Sequence, residues 1–150
     1  MKYILLDSIR SMQNVWAVFR NCDWAGYDKI FLTGYTPTPP RNDIKKTAIW
    51  AENYIDWEYY RDPLEVIKEL KNKGVKIISV ELTPESINYK TLWEKYKWDD
   101  VCLVLWNEIS WVNEKILQIS DDIAIIPMNW KKASLNVSVA CGIVMYEFVS

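Results

Sequence analysis

The chain has 150 residues, half apolar and a quarter charged, with a net charge of −2, which suits one domain of roughly 100–200 residues with a real core. That charge gives no global attraction for nucleic acid, so any RNA site must be a local basic patch. The sequence has no histidine, which excludes Ser-His-Asp and Cys-His nucleophile activation and argues against a zinc site.

Residues 2–6 are an apolar run, predicted as a first, buried strand. Residues 7–13 are polar and loop-like and include Arg10. Val15, Val18, Phe19 and Cys22 then recur at 3–4 spacing, which predicts a helix capped by Asn14 or Ser11 and ended by Gly26. A second strand is predicted over 29–32, a proline-rich loop over 33–42, a helix over 43–51 and a short strand over 57–60. The best-signalled helix follows, with Asp62 as N-cap, Pro63 at its first position and Glu65 at its third. Leu64, Ile67 and Leu70 form its predicted apolar stripe, and Gly74 stops it. Further strands are expected over 75–80, 101–105 and 123–126, with helices over 84–97, 112–119 and 134–148.

Strands alternating with helices predict an α/β fold over residues 1–150, a mostly parallel sheet with helices on both faces. In such sheets ligands sit beyond the carboxyl ends of strands, which is where the polar groups after Leu105 and Met128 fall. No apolar run reaches the ~18 residues of a membrane span, and no leader precedes Asp7, so a cytoplasmic protein is expected. Cys22, Cys102 and Cys141 lie apart in apolar segments and are predicted to be buried, reduced thiols.

Three stretches carry polar groups against this apolar frame: Asn14 to Arg20, Leu105 to Val112, and Ile126 to Asn136. Taken one at a time, each has a plain reading. Arg20 is a surface side chain of a helix, Glu108 a charge at a helix N-terminus, and Ser134 a helix N-cap. No glycine-rich phosphate fingerprint is present, so a dinucleotide-binding turn is unsupported.

Together and in order, the three stretches resemble the SpoU (TrmH) branch of the SPOUT methyltransferases. The first motif of that family, Asn-x5-Arg, corresponds to Asn14 and Arg20, followed by Asp23 and Gly26. The second, an apolar strand leading to a glutamate, corresponds to 103–108. The third, Ile-Pro-Met followed by Ser-Leu-Asn-Val-x-Val-Ala, corresponds to 126–140. The resemblance implies a trefoil-knotted α/β fold in a homodimer, with S-adenosyl-L-methionine as methyl donor to a ribose 2′-hydroxyl of tRNA or rRNA. It assigns Arg20 as the catalytic arginine, with Asn14, Glu108, Ser134 and Asn136 around it. It assigns Leu105, Trp106, Ile126, Met128 and Leu135 to the cofactor. An arginine hardly deprotonates, so orientation and stabilisation of the developing alkoxide are its expected role ahead of general base. Arg10, Arg41, Lys45 and Lys46 are the candidate phosphate-binding patch for RNA.

The sequence departs from this pattern in one way. Trp16, Trp106, Trp111 and Trp130 stand where the family has glycine, with Trp50, Trp24 and Trp98 further candidates. The chain has 9 tryptophans and 4 glycines, whereas ordinary usage would give roughly ten glycines. Glycine permits positive φ and close backbone approach, and tryptophan fills that space. Two explanations compete: a decayed, non-catalytic RNA-binding or interaction protein on the same fold, or UGA codons that mean glycine read as tryptophan. Decay would not choose one replacement repeatedly, and the second explanation accounts for both abnormal counts.

Overall fold

The computed structural model describes residues 1–39, 55–106, 113–129 and 134–149. Among them, seven strands form one sheet: β1 (Lys2–Asp7), β2 (Lys29–Thr33), β3 (Asp56–Tyr60), β4 (Lys76–Val80), β5 (Ile87–Asn88), β6 (Val101–Trp106) and β7 (Asp122–Ile125). The order across the sheet is β3-β2-β1-β6-β4-β7-β5, and every pairing is parallel. The predicted parallel α/β architecture is therefore present. All strands point the same way, so one edge of the sheet collects all their carboxyl ends.

Among the described residues, five α-helices cover the sheet: α1 (Met12–Ala25), α2 (Pro63–Asn72), α3 (Leu92–Tyr96), α4 (Glu114–Ile119) and α5 (Val137–Tyr146). Side chains alternate across a strand, and β1 and β6 use this fully. Ile4, Leu6, Leu103 and Leu105 join the core under α1 and α5, while Leu5, Cys102 and Val104 join the core under α2 and α4. All six residues of β6 are buried, as expected of a central parallel strand.

The helix signals resolve as follows. Ser11 caps α1 by accepting from the Asn14 N–H, which leaves Asn14 inside the first turn, and Gly26 closes the helix at φ 67°. Asp62 caps α2 as predicted, but the buried stripe is Val66, Ile67 and Leu70, and Leu64 is only half-buried. The helix predicted over 84–97 is instead β5, a 3₁₀ turn (Tyr89–Thr91) and the short α3. Ile87 and Asn88 pair with Ala124 and Ile125, so edge pairing overrides a weak helical pattern. The last helix is capped by Asn136, not Ser134, so α5 starts later than predicted. The predicted helix over 43–51 lies outside the described residues, as do segments 107–112 and 130–133. No helix among the described residues is long and apolar enough to cross a membrane.

The three cysteines are free and buried. Burial pushes the Cys141 thiol up to about 12 and raises those of Cys22 and Cys102 as well, so all three are packing groups rather than nucleophiles.

Gly34, just past β2, is the most demanding glycine. Its φ is +62°, and an added Cβ would sit 2.3 Å from Ser8 Oγ and 2.9 Å from Asp7 Oδ1. Gly34→Ala is expected to cost about 2–4 kcal/mol from left-handed strain plus overpacking. Gly26→Ala shares the positive φ but meets nothing within 4 Å and should cost about 1–2 kcal/mol. Urea melts of the two variants check this; equal losses would mean the close approach at Gly34 does not matter.

Candidate active site

The carboxyl ends of β4 and β7 and the start of α5 enclose a cavity of about 200 Å³. Its walls include Val80, Leu82, Ala124, Ile125 and Ala140, with the predicted Ile126, Met128, Ser134 and Leu135 among them. Four of the residues singled out in the third motif thus meet at one place, and that place is the ligand-binding edge of a parallel sheet. Ser134 faces this cavity rather than capping a helix.

Asn136 ties the cavity to α1. Its Oδ1 accepts from the Ser138 N–H at 2.9 Å and from the Ser138 hydroxyl at 2.6 Å, which caps α5. Its Nδ2 donates to Asn14 Oδ1 at 3.1 Å. The first and third motifs are therefore joined by a direct amide contact, 122 residues apart in sequence. Two turns further along α1, Asn21 Nδ2 donates to the Ser138 carbonyl at 3.2 Å, and Gly142 gives that side chain its room, since an added Cβ would lie 3.1 Å from it.

Other predicted residues fall elsewhere. Leu105 is core beneath α1 and α5 and does not line the cavity. Trp106 is 8 % exposed and packs on the opposite face with α2 and α4. Its indole Nε1 donates to Glu81 Oε2 at 2.6 Å, and Glu81 itself lines the cavity. Arg20 is exposed on α1 and is not part of the cavity wall. Six residues after Asn14, it lies about 9 Å along the helix and roughly a third of a turn around it. Arg10 is exposed just beyond β1. Glu108, Arg41, Lys45 and Lys46 lie outside the described residues.

Sequence reading missed Val80, Glu81 and Leu82. The available signal was positional: Val80 ends β4 and Glu81 and Leu82 follow it directly, and a parallel sheet gathers every strand end at the ligand edge. No metal-binding cluster of His, Cys, Asp or Glu occurs among the described residues.

The tryptophans do not occupy glycine-only backbone where they are described. Ser8 is the sole non-glycine residue with positive φ among the described residues. Trp16 lies within α1 and packs against the core. Trp24 and Trp98 stand 74 % and 90 % exposed, with little packing to do. What glycine would change at position 106 is the indole's hold on Glu81 rather than φ. Trp50, Trp111 and Trp130 are outside the described residues.

Asp7, at the carboxyl end of β1, is a pH-sensitive point of this edge. Burial raises its carboxyl above its ordinary value, opposed by hydrogen bonds from Thr33 and Ser8, while the Asp62 charge adds to the rise. The folded chain thus holds this proton more tightly than the unfolded one. The stability gained is full below the unfolded value of about 3.9 and is lost as pH rises through the folded value. Asp7→Asn removes that dependence, so its melting temperature relative to the parent should rise from pH 4 to pH 8. A difference that is flat with pH would contradict the burial assigned to Asp7.

The fold and the cavity define a class: parallel α/β proteins whose ligand pocket is built from strand ends and the first turn of the last helix. Residues 1–146 match the SpoU rRNA Methylase family, and the chain belongs to that family. It is 31 % identical over 145 residues to the tRNA (guanosine(18)-2′-O)-methyltransferase of Aquifex aeolicus, covering 96 % of this chain and 66 % of that protein. The chain thus spans just under two thirds of that relative's length. The crystal structure of the A. aeolicus TrmH/SpoU tRNA modifying enzyme superposes with a TM-score of 0.82 at 28 % identity, over 98 % of this chain and 73 % of that one. An AdoMet-bound rRNA methyltransferase from Sinorhizobium meliloti shares the fold, with a TM-score of 0.84 at 24 % identity over 98 % of this chain and 55 % of that one.

Proposed function

We propose that residues 1–150 form one methyltransferase domain that moves a methyl group from S-adenosyl-L-methionine to a ribose 2′-hydroxyl of tRNA or rRNA. The observation that carries this reading is the cavity of Ile126, Met128, Ser134 and Leu135 at the strand ends, tied to the first motif through Asn136 and Asn14. Its lining fits such a donor in kind: apolar walls from Val80, Leu82 and Ile125, and a carboxylate from Glu81. When bound, the donor supplies an electrophilic methyl on a positively charged sulfur. Val80, Leu82 and Ile125 would shield a donor held there from water. Arg20 orients the RNA phosphate and stabilises the alkoxide that develops as the 2′-hydroxyl reacts. Asn14 and Asn136 fix the junction of α1 and α5 between these parts.

The working form is a homodimer. Ala17, Asn21, Val139, Gly142, Ile143 and Tyr146 form an open depression across α1 and α5, and Val139 and Tyr146 are large exposed apolar side chains there. Arg20 lies about a sixth of a helical turn from Ala17, so a second copy on this face would meet it. Mapping 2′-O-methylated riboses in cells with and without the gene tests the reading. A site that disappears names the RNA; an unchanged methylation map contradicts the assigned reaction.

A further inference from the structure

The four arginines of the chain are Arg10, Arg20, Arg41 and Arg61. Two of the three described ones, Arg10 and Arg61, sit just past the carboxyl ends of β1 and β3. Both are exposed, as is Arg20. Among the described residues, carboxylates pair with lysines and the N-terminus, and none of these three arginines makes an ion pair. The strand between β1 and β3 is β2, and directly after it comes Tyr35, 87 % exposed.

Tyr35 is held out by an unusually fixed turn. Gly34 takes a positive φ that brings its Cα against Ser8, and Ser8 itself has φ 53°. Strain of this kind persists where surrounding contacts enforce it. Those contacts are present. The Thr36 N–H donates to the Thr33 carbonyl at 3.2 Å and the Gly34 N–H to the Arg61 carbonyl at 3.3 Å. The Tyr59 hydroxyl donates to the Gly34 carbonyl at 2.8 Å. The buried Thr36 hydroxyl donates to the Leu6 carbonyl and accepts from the Ile9 N–H, both at 3.0 Å. The backbone on both sides of Tyr35 is clamped, yet its ring stands 87 % exposed. The Gly34 contact with Arg61 and the Ser8 contact with Tyr35 N–H tie the backbone at Tyr35 to the two loops that carry Arg61 and Arg10.

We propose that Tyr35 is a stacking platform for an unpaired RNA base, with Arg10 and Arg61 holding the phosphates on either side. A rigid, water-facing aromatic between arginines is the combination that grips single-stranded RNA without reading its sequence. Tyr35 shares the carboxyl edge of the sheet with the cavity at β4 and β7. The path from β2 to β4 crosses β1 and β6, three strand spacings or about 14 Å, which a few unstacked nucleotides cover. The subsite would therefore take a base a short way along the strand from the methylated ribose. This inference rests on the proposed RNA substrate.

The test uses the full chain and a fluorescently labelled single-stranded RNA oligonucleotide, read by anisotropy, with methyl-transfer kinetics alongside. Tyr35→Ala should weaken RNA binding about tenfold, and Tyr35→Phe, which keeps the ring, should bind within about twofold of the parent. Arg61→Gln should reduce the salt dependence of binding by about one phosphate contact. Binding that survives Tyr35→Ala unchanged, or no RNA binding by the parent, overturns the subsite. Methyl transfer with a KM indifferent to Tyr35 likewise overturns the subsite and leaves the enzymatic reading standing. Tyr35-dependent RNA binding without any methyl transfer supports the subsite and removes the enzymatic reading.

Discussion

Arg20→Ala should slow methyl transfer to RNA by about 10²–10³-fold, the loss that follows removal of one donor to a developing oxyanion. Affinity for S-adenosyl-L-methionine should stay within about twofold, because Arg20 is absent from the cavity wall. The argument rests on where the side chain stands. It is exposed on α1 without an ion pair among the described residues, so it is free to take a phosphate and a reacting hydroxyl. Its guanidinium stays protonated at any working pH, so it acts by charge and hydrogen bonding. Arg20→Lys keeps the charge but loses the fork, and should recover only part of the rate. Single-turnover kinetics separate these outcomes. Full activity in Arg20→Ala would remove the residue from the mechanism, and a large loss of donor affinity would place it at the donor instead.

Replacing Trp16, Trp106, Trp111 and Trp130 with glycine together should markedly tighten binding of S-adenosyl-L-methionine. A dissociation constant of about 1 μM–1 mM, the usual range of enzyme substrates, is expected by calorimetry. The physical reason is clearest at position 106. The indole fills the end of β6 and its N–H occupies Glu81, a carboxylate on the cavity wall. The cavity beside it, about 200 Å³, falls below the roughly 300–1,000 Å³ common for small-molecule sites. Glycine there frees the Glu81 carboxylate. The codons give an independent check: UGA at positions 16, 106, 111 and 130 fits glycine, and UGG makes the tryptophans real. Tight binding by the tryptophan form would show that these side chains do not obstruct the site.

Much of the fold was legible because local signals agreed with the sheet. Asp62, Pro63 and Gly74 bracket α2 where predicted, and the apolar run of β6 is buried along its whole length. The misreadings arose where tertiary contacts decide. Residues 84–97 look weakly helical, and only β7, distant in sequence, makes a strand of Ile87 and Asn88. Ser11 and Asn14 are both good caps by type, and the choice of Ser11 frees Asn14 to meet Asn136 across the fold. In the site, the third motif was legible as a chemical pattern, and its residues do gather round one cavity. Glu81 was not, because nothing in its neighbours says that β4 ends beside β7. The separation of Arg20 from that cavity follows from helical phase together with the packing of α1 on α5, which spacing alone does not reveal.

The most direct measurement incubates purified protein, in its tryptophan and glycine forms, with methyl-labelled S-adenosyl-L-methionine and unmodified total RNA, then digests the RNA to nucleosides. The account predicts label on a ribose 2′-oxygen with the glycine form, and loss of that label in Arg20→Ala. Label on a base, or no label with either form, would contradict it.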